Sequence, residues 1–410
     1  MDINWVRQQF PVFQKQAEQQ ALPMVFMDNA GGSQTVGHAM DAMVEYLTDY
    51  DVQLGASYAT STAATIQLKQ ATEAIQTYVN AKRTEEVIVG ASSTALVRIL
   101  SLCLAKSMQV GDEIIITDVD HEANRAAWLD LQQQGISIKI WHIRPDTFEL
   151  NSDDLLALMT DKTRLVCFTH VSNILGTINP VAEWTHLIHN KGALVFVDGV
   201  AYAPHRAIDV QAWDVDFYFF STYKTFGPHQ AVMYGKFKIL DTLPGFNHDF
   251  IQTTPYKFQP GNVNYELCYA MGGVVQYLCE LGAGQNAAEI NRRNLTQAYK
   301  TMAQYEAELL KPLIKFLNHQ PEIKIIGLNS HTANIRVATL SFIHNNIDSK
   351  TIVERVDPHN IGIRFGDFYA VKLIDHLGLR DKHGVVRVSL AHYNTSEEVE
   401  SLIKALKEIF

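Results

Sequence analysis

The sequence predicts an α/β protein with a mostly parallel sheet, followed by a smaller α+β domain. From about residue 87 to about residue 221, short apolar runs alternate with amphipathic helical stretches. Strands that are apolar along their whole length are typical of a parallel sheet covered by helices on both faces. After about residue 285 the chain changes to charged helical segments and a few short strands, which indicates a second domain.

The elements follow one another in a regular order. Two helices are predicted at 36–48 and 62–80, ahead of the alternating region. The predicted strands are 87–90, 113–118, 136–143, 164–171, 193–199 and 216–221. In the second domain the strands RVATLSFI and VVRVSLA precede a last helix, EEVESLIKALKEI. We therefore predict a large domain at 23–285, a small domain at 286–410, and a segment 1–22 that packs on the small domain.

Composition and charge narrow the class of protein. The chain is 47% hydrophobic and 19% charged, as in ordinary globular enzymes, and its net charge of −10 argues against nucleic acid as a partner. The sequence has no apolar run long enough for a membrane span and no secretory leader, so we expect a cytoplasmic protein. The four cysteines form no CxxC pair and are predicted to be buried thiols, and HEANR lacks the second histidine of a zinc-protease helix. No metal site is predicted.

An acidic residue and a lysine follow two successive strands. Asp198 ends VFVD, and Lys224 comes shortly after FYFFS, with enough chain between them for one crossover. A lysine directly after an apolar strand is unusual, because an ammonium group is costly to desolvate. Above a parallel sheet this pair suits pyridoxal phosphate, with the lysine as imine and the acid holding the pyridine nitrogen protonated. From these two residues alone, an Asp–Lys ion pair at the sheet edge is an equal alternative.

Further polar groups fall at the same sheet edge. Ser92 and Ser93 lie in a turn from strand into helix, where backbone N–H groups can bind a phosphate, although a simple helix cap is the alternative. Ser221 could add a phosphate contact. His121 follows the strand EIIITD and could stack on a flat cofactor or serve as a hydrogen-bonded structural residue. Neither GxGxxG after a strand nor GxxxxGK[ST] is present, so nicotinamide and ATP sites are not predicted.

Together, these motifs resemble the class V aminotransferase family of pyridoxal-phosphate enzymes, and within it the cysteine desulfurase and selenocysteine lyase branch. The resemblance extends over nearly the whole chain through FMDNAGGSQ, DVDHEANRAAW, THVSNILGTINPV, VDG, the lysine segment, PGNVN and RVSLAHYNT. It implies the transferase fold type I, with a seven-stranded, mostly parallel sheet in the large domain. It also implies a homodimer whose subunits share their active sites and act on an amino acid.

The resemblance also assigns roles to individual residues. Lys224 matches the Schiff-base lysine, Asp198 the partner of the pyridine nitrogen, and His121 the histidine stacked on the ring, so these three are the predicted catalytic residues. Further cofactor contacts are predicted for Ser92, Ser93, Asn173, Ser221, Tyr223 and, across the dimer, Asn262. Substrate binding is predicted for Arg387, Arg364 and Asn29, and the guanidinium of Arg387 is expected to bind the substrate carboxylate through two parallel hydrogen bonds. A turn cap for Asn173 and a structural ion pair for Arg387 stay open as alternatives.

Departures from the family pattern bear on the reaction. Cysteine desulfurases carry a loop cysteine that accepts sulfur, but here Tyr369 or a close neighbour stands at that position in GIRFGDFYAVK. The glutamine usually found three residues after the cofactor aspartate is Ala201. We therefore predict a carbon–sulfur β-lyase that acts on cysteine or a cysteine conjugate without a persulfide on the loop.

Other functions stay open at this point. An aminotransferase or an epimerase of the same family is the main alternative. Ser221 and Lys224 also match the SxxK motif of penicillin-binding enzymes, but the SDN and KTG elements are absent. A non-catalytic family member that binds the cofactor is the remaining alternative.

Overall fold

The computed structural model describes residues 1–18 and 23–410. The predicted end of the N-terminal segment, at residue 22, and the first boundary of the large domain therefore adjoin residues outside the described part. Helices α1 and α2 precede the gap, α3 to α11 belong to the first unit after it, and α12 to α15 to the last. Their bounds are α1 Ile3–Gln8, α2 Pro11–Glu18, α3 Gly37–Asp49, α4 Ala59–Val79, α5 Ser93–Ala105, α6 Ala126–Leu129, α7 Ser152–Leu158, α8 Val181–His189, α9 Val210–Trp213, α10 Phe237–Thr242, α11 Tyr265–Gly282, α12 Arg292–Asn318, α13 Ser349–Val356, α14 Val371–His376 and α15 Ser396–Lys407.

The strands divide between three sheets. Their bounds are β1 Val25–Phe26, β2 Val87–Gly90, β3 Glu113–Thr117, β4 Ser137–Trp141, β5 Thr163–Thr169, β6 Leu194–Asp198, β7 Phe217–Ser221, β8 Ala231–Gly235, β9 Ile323–Ile326, β10 Thr339–His344, β11 Ile361–Gly362, β12 Arg364–Gly366 and β13 Val385–Ser389. The main sheet has seven strands in the order β2-β8-β7-β6-β5-β3-β4. Strand β8 is antiparallel to both of its neighbours, and all the other pairings are parallel. The predicted seven-stranded, mostly parallel sheet is therefore confirmed.

Both faces of this sheet are buried, which explains the continuous apolar strands. Ile115 and Val166 face one hydrophobic cluster, whereas their neighbours Ile114 and Leu165 face the other. Strand β8 was not located in the sequence, because its run AVMYG directly follows the lysine segment and returns without a helix between. Since β8 alone is reversed, the other six strands end at one edge of the sheet.

The last part of the chain forms a second sheet. It is antiparallel, in the order β12-β13-β10-β9, and α12, α13 and α15 supply much of the core packed with it. The short strand β1 pairs in parallel with β11, so the start of the chain also enters this region. The division at 285/286 stays a prediction.

The described N-terminal residues contact both units. Arg7 donates hydrogen bonds to the Tyr393 carbonyl and to Glu398, as expected for packing on the small domain. The ring of Phe10, however, also packs edge-on against Phe226 and Tyr277 of the larger unit. Among the described residues, no helix is both long and apolar enough to cross a membrane.

Candidate active site

The carboxyl edge of the main sheet holds a cavity. Its empty space is about 570 Å³, including the part open to solvent. The lining side chains come from the ends of β2, β5, β6 and β7 and from the segment after β3, as expected for a ligand site in an open parallel sheet. The lining residues are Ser92, Ser93, Thr94, His121, Ala123, Thr169, Val171, Asn173, Asp198, Val200, Ala201, Phe219, Ser221, Tyr223 and Lys224.

Lys224 enters this cavity from a single 3₁₀ turn, Thr222–Lys224, at the end of β7. The residue is 8% exposed, and its Nζ has neither a hydrogen bond nor an ion pair with any described residue. Burial lowers the pKa of Lys224 from 10.5 to about 8, and the positive charge of Arg387 adds to this effect. Roughly a tenth of Lys224 is therefore an uncharged amine at pH 7, far more than for an ordinary lysine, and the uncharged amine is the nucleophilic form.

Asp198 ends the neighbouring strand β6, which pairs in parallel with β7. Its Oδ1 accepts a hydrogen bond of 2.8 Å from the Val200 amide. Burial raises the pKa of Asp198 to about 6, while that hydrogen bond and the charge of Lys224 act in the opposite direction. The two side chains form no ion pair in the described structure. The closed Asp–Lys pair considered above is therefore absent, and both groups face the cavity.

His121 lies on the turn after β3. Its Nδ1 accepts a hydrogen bond of 3.0 Å from the Ala123 amide, so the proton of the neutral ring is on Nε2. Burial, together with the positive charges of Lys224 and Arg387, lowers the pKa of His121 to about 4. A neutral, flat ring is thus held at the cavity wall at pH 7. The adjacent Asp120, which was not predicted as a site residue, is buried and accepts a hydrogen bond of 2.8 Å from Asn124, which orders this turn.

The predicted phosphate contacts lie at the N-terminus of α5. Ser93 Oγ and Ser221 Oγ are 2.7 Å apart in the buried wall of the cavity. Ser92 is the N-cap of α5 and accepts from the Ala95 amide at 3.2 Å, so the capping alternative holds for this residue while it also lines the cavity. Tyr223 presents its ring to the same wall and stacks on His229 at 4.7 Å between ring centroids. Hydroxyls and helix N–H groups thus converge at one end of the cavity.

Arg387 is fully buried behind the cavity and already has an acidic partner. Its Nη2 donates to Asp28 Oδ1 at 2.8 Å and its Nη1 to the Asn173 carbonyl at 3.3 Å, but its Nε has no partner. The ring centroid of Phe368 lies 3.7 Å from the guanidinium carbon. Sequence reasoning missed Asp28 and Phe368, although both stand inside the quoted motifs FMDNAGGSQ and GIRFGDFYAVK. The ion-pair alternative for Arg387 is therefore observed, and one edge of its fork stays unpaired.

The other predicted substrate residues lie outside the cavity. Arg364 is 60% exposed at its side chain and approaches Asp28 Oδ2 at 3.5 Å. It sits directly opposite Arg387 in the β12–β13 pair. Asn29 is buried among small-domain groups, where it donates to the Ser389 carbonyl at 2.8 Å and accepts from the Tyr393 hydroxyl. Their substrate roles stay predictions.

Two predicted cofactor contacts have internal partners. Asn173 Nδ2 donates to the Phe368 carbonyl at 2.9 Å, whereas Asn173 Oδ1 lies buried without a partner. Asn262 is exposed and donates to Gln53 Oε1 at 3.0 Å, away from the cavity of its own chain. Asn173 can therefore still bind a ligand through Oδ1, whereas Asn262 does not reach the cavity of its own chain.

The loop that carries Tyr369 closes one side of the site. The Tyr369 carbonyl accepts from the Glu122 amide at 2.8 Å, and its ring lies 5.3 Å from that of His121. Phe368 and Tyr369 both adopt positive φ, at 50° and 61°, which is uncommon for aromatic residues. The four cysteines are free and buried, as predicted, and none lines the cavity. That Tyr369 or a close neighbour occupies the position of the family's loop cysteine stays a prediction.

Comparison with known proteins identifies the family. The profile described as aminotransferase class-V matches residues 25–402. The chain belongs to the class V aminotransferase family. This confirms the family predicted from the motifs and makes the protein a pyridoxal-phosphate-dependent enzyme of the cysteine desulfurase-like group.

Individual relatives of this class V enzyme have two kinds of name. The aminotransferase-like protein FGM3 of Gibberella zeae is 40% identical, over 99% of this chain and 98% of its own length. A cysteine desulfurase of Synechococcus elongatus is 31% identical, over 100% of this chain and 64% of its own length. The crystal structure of the cysteine desulfurase CsdA from Escherichia coli covers 100% of this chain and 98% of that chain, with a TM-score of 0.83 at 23% identity. This structural similarity supports the assignment of the fold.

The cavity of the class V enzyme fits the cofactor of its family. Lys224 offers a partner-free buried amine, and Asn173 Oδ1 is a buried acceptor without a donor. The hydroxyl pair Ser93–Ser221 and the start of α5 lie together at one end, where a phosphate would find donors. These features agree with pyridoxal phosphate.

Proposed function

We propose that this enzyme is a carbon–sulfur β-lyase acting on cysteine or a cysteine conjugate. The observation that carries the proposal is at the loop beside the cavity: the Tyr369 ring packs against His121, which lines the cavity, and none of the four cysteines lines it. A reaction in which sulfur leaves with the rest of the substrate needs no protein thiol to accept it.

Separate groups of residues would bind the cofactor and the substrate. Ser93, Ser221 and the start of α5 would hold the phosphate, and Asp198 would pair with the pyridine nitrogen. When bound, pyridoxal phosphate supplies an electron sink for the bond broken at Cα. Arg387 would hold the substrate carboxylate through its unpaired Nε edge after Phe368 moves aside.

Lys224 would carry the proton in this reaction. As an uncharged amine it would accept the proton from Cα, whose electron pair forms the new Cα–Cβ double bond. The Cβ–S bond breaks, and its electron pair leaves on sulfur as a thiolate. Water then converts the released aminoacrylate into pyruvate and ammonium.

The first test is an absorption spectrum of the purified enzyme with pyridoxal phosphate. A band near the visible edge that is present in the wild type and in the surface control Lys69→Ala, but lost in Lys224→Ala, would support the lysine–cofactor linkage. S-substituted cysteines are then assayed for pyruvate and thiol in equal amounts. A band without release of pyruvate from any conjugate would refute the lyase proposal while leaving the cofactor in place.

Amino transfer is the second candidate, because the relative that is 40% identical is named aminotransferase-like. The same active site would then pass the amino group to a keto acid. Formation of a new amino acid from an added keto acid, without thiol or pyruvate, would favour this candidate. The two reactions are distinguished in a single incubation by their products.

We also propose that the enzyme works as a cytoplasmic homodimer with shared sites. The exposed residues Met40, Val44 and Leu47 recur at helical spacing on one face of α3, which suits contact with a second copy. Asn262 would reach the cavity of that second copy. Sedimentation analysis of the wild type and of Val44→Asp tests this, and a monomeric wild type would refute it. The compartment rests on the four free thiols.

A further inference from the structure

Three potential metal ligands meet beside the active site. Asp118 Oδ2 lies 2.8 Å from His142 Nδ1 and 3.2 Å from His376 Nδ1. The three ligand atoms all lie within 4.8 Å of one another, and the two imidazole rings stack at 5.4 Å between centroids. No short sequence motif contains these residues, because they are far apart in the chain: Asp118 follows β3, His142 follows β4 and His376 ends α14. We propose that this cluster, named here the Asp118 cluster, binds a divalent transition metal ion of the Zn²⁺ type.

The ligand chemistry favours such an ion. Two imidazole nitrogens and one carboxylate oxygen suit zinc and its neighbours, whereas magnesium and calcium prefer oxygen ligands alone. With metal–ligand bonds of about 2.0–2.1 Å, ligands of a tetrahedral zinc stand roughly 3.3 Å apart. The observed spacing needs only small shifts of exposed histidine side chains. The fourth position faces solvent and would hold a water molecule.

The charge of Asp118 gives an independent reason. Its side chain is only 5% exposed, and no lysine or arginine forms an ion pair with it in the described part of the chain. Apart from the two histidines, its partner is the Ile143 amide, which donates to Oδ1 at 2.9 Å. A buried carboxylate that lacks a permanent cation is costly, and a metal ion would neutralise it. The hydrogen bond to Oδ1 would also orient the carboxylate as a ligand.

The position of the cluster connects it to the loop over the active site. Asp118 and His142 directly follow two neighbouring strands of the main sheet, whereas His376 ends α14, which begins at Val371 directly after the loop with Phe368 and Tyr369. A metal shared by both sides would therefore fix α14 and hold the loop against His121. This site goes beyond the proposed reaction and does not depend on it.

The test uses the holoenzyme, stripped of metal with a chelator and kept free of substrate. Zn²⁺ binding is measured by equilibrium dialysis for the wild type, His142→Gln and His376→Gln, with the exposed His186→Gln as the matched control. We expect one tightly bound Zn²⁺ per chain in the wild type and the control, and an affinity lower by at least about tenfold in each cluster variant. Both substituted histidines are exposed, so these variants are expected to fold.

A second readout addresses the loop. Zn²⁺ should slow amide hydrogen exchange at residues 367–370 in the wild type and in His186→Gln, but not in the two cluster variants. Absence of tight Zn²⁺, or equal binding by all four proteins, would overturn the site, and the histidine–carboxylate contacts would then be hydrogen bonds only. Zn²⁺ bound at the cluster without slower loop exchange would overturn its role as a tether.

Discussion

The ring of Phe368 covers the guanidinium of Arg387 at 3.7 Å. Since Arg387 is the predicted partner of the substrate carboxylate, this contact has to open before a substrate can reach it. Cation–π contacts at desolvated sites contribute about 2 kcal/mol, so opening is a real cost of binding. The contact joins the loop before α14 to the arginine that is predicted to bind the substrate.

Phe368→Ala is expected to expose Arg387 to reagents. Phenylglyoxal should modify Arg387 faster in this variant than in the wild type, as measured by peptide mass spectrometry, because the ring no longer shields the guanidinium. Tyr369→Ala, in the same loop but not over Arg387, is the control. The exposed Arg364 serves as an internal reference for reagent activity. Equal modification of Arg387 in all three proteins would contradict the shielding role.

The pair Asp28–Arg387 is expected to be strongly coupled. A double-mutant cycle with Asp28→Ala and Arg387→Ala, based on free energies of unfolding in urea, should give a coupling of about 2–3 kcal/mol, because both charges are largely buried. The exposed pair Lys350–Glu354 should give only about 0.3–0.5 kcal/mol. A coupling at Asp28–Arg387 no larger than that of the surface pair would rule out a structural role for this contact.

The lowered pKa of Lys224 predicts the pH dependence of cofactor attachment. Only the uncharged amine can attack the aldehyde, so the rate at which the visible band forms should rise with pH around a midpoint of about 8 and not near 10.5. Arg387→Met removes one cause of the lowered pKa, so its midpoint should move to higher pH. The experiment is stopped-flow mixing of cofactor-free enzyme with pyridoxal phosphate. An unchanged midpoint in Arg387→Met would show that burial alone sets the pKa.

Asp198→Asn is expected to separate stability from activity. In the cofactor-free protein the pKa of Asp198 is raised from 3.8 to about 6, so stability from this group is complete below about pH 4 and is lost as the pH rises through about 6. An asparagine avoids that loss. The free energy of unfolding of the variant should therefore exceed that of the wild type by up to about 3 kcal/mol at pH 7 and should equal it near pH 4.

Activity of the same variant should fall by about 10²-fold, because a charge-assisted hydrogen bond to the pyridine nitrogen is lost. Urea unfolding at the two pH values and steady-state rates measure these effects. Lower stability of Asp198→Asn at pH 7 would refute the proposed burial cost, whereas unchanged activity would refute its role at the ring.

Tyr369→Cys should give the loop a sulfur acceptor. With cysteine as substrate, the new thiolate would attack the substrate sulfur, and the Cβ–S bond would break with its electron pair on Cβ, which takes up a proton so that alanine is released. Mass spectrometry of the loop peptide should then find one added sulfur atom, because this position lies beside His121 at the cavity. Tyr369→Ser, which has no thiol, is the control and should gain nothing. If the cysteine variant stays unmodified while it turns cysteine over, the loop position does not face the leaving sulfur.

The local pattern of the chain was sufficient to predict much of the fold. Helices expected at 36–48 and 62–80 are Gly37–Asp49 and Ala59–Val79, and all six strands placed in the large domain are present. The segment after β3 forms a 3₁₀ turn, Glu122–Asn124, followed by a short helix, because Asp120 and His121 fix the turn through side-chain hydrogen bonds. Apolar periodicity is a local property, so a sequence can reveal it directly.

The sequence by itself determined the family, most strands of the sheet and the residues at its carboxyl edge, since the positions and ends of strands follow from neighbouring residues. Only the tertiary structure decided which groups Arg387 contacts. Its partner Asp28 is 359 residues away along the chain, and the contact exists because β13 and the segment after β1 meet where the two units pack. Pairings at that distance depend on domain packing and on the cost of burying an unpaired charge, and a local sequence pattern reveals neither of them.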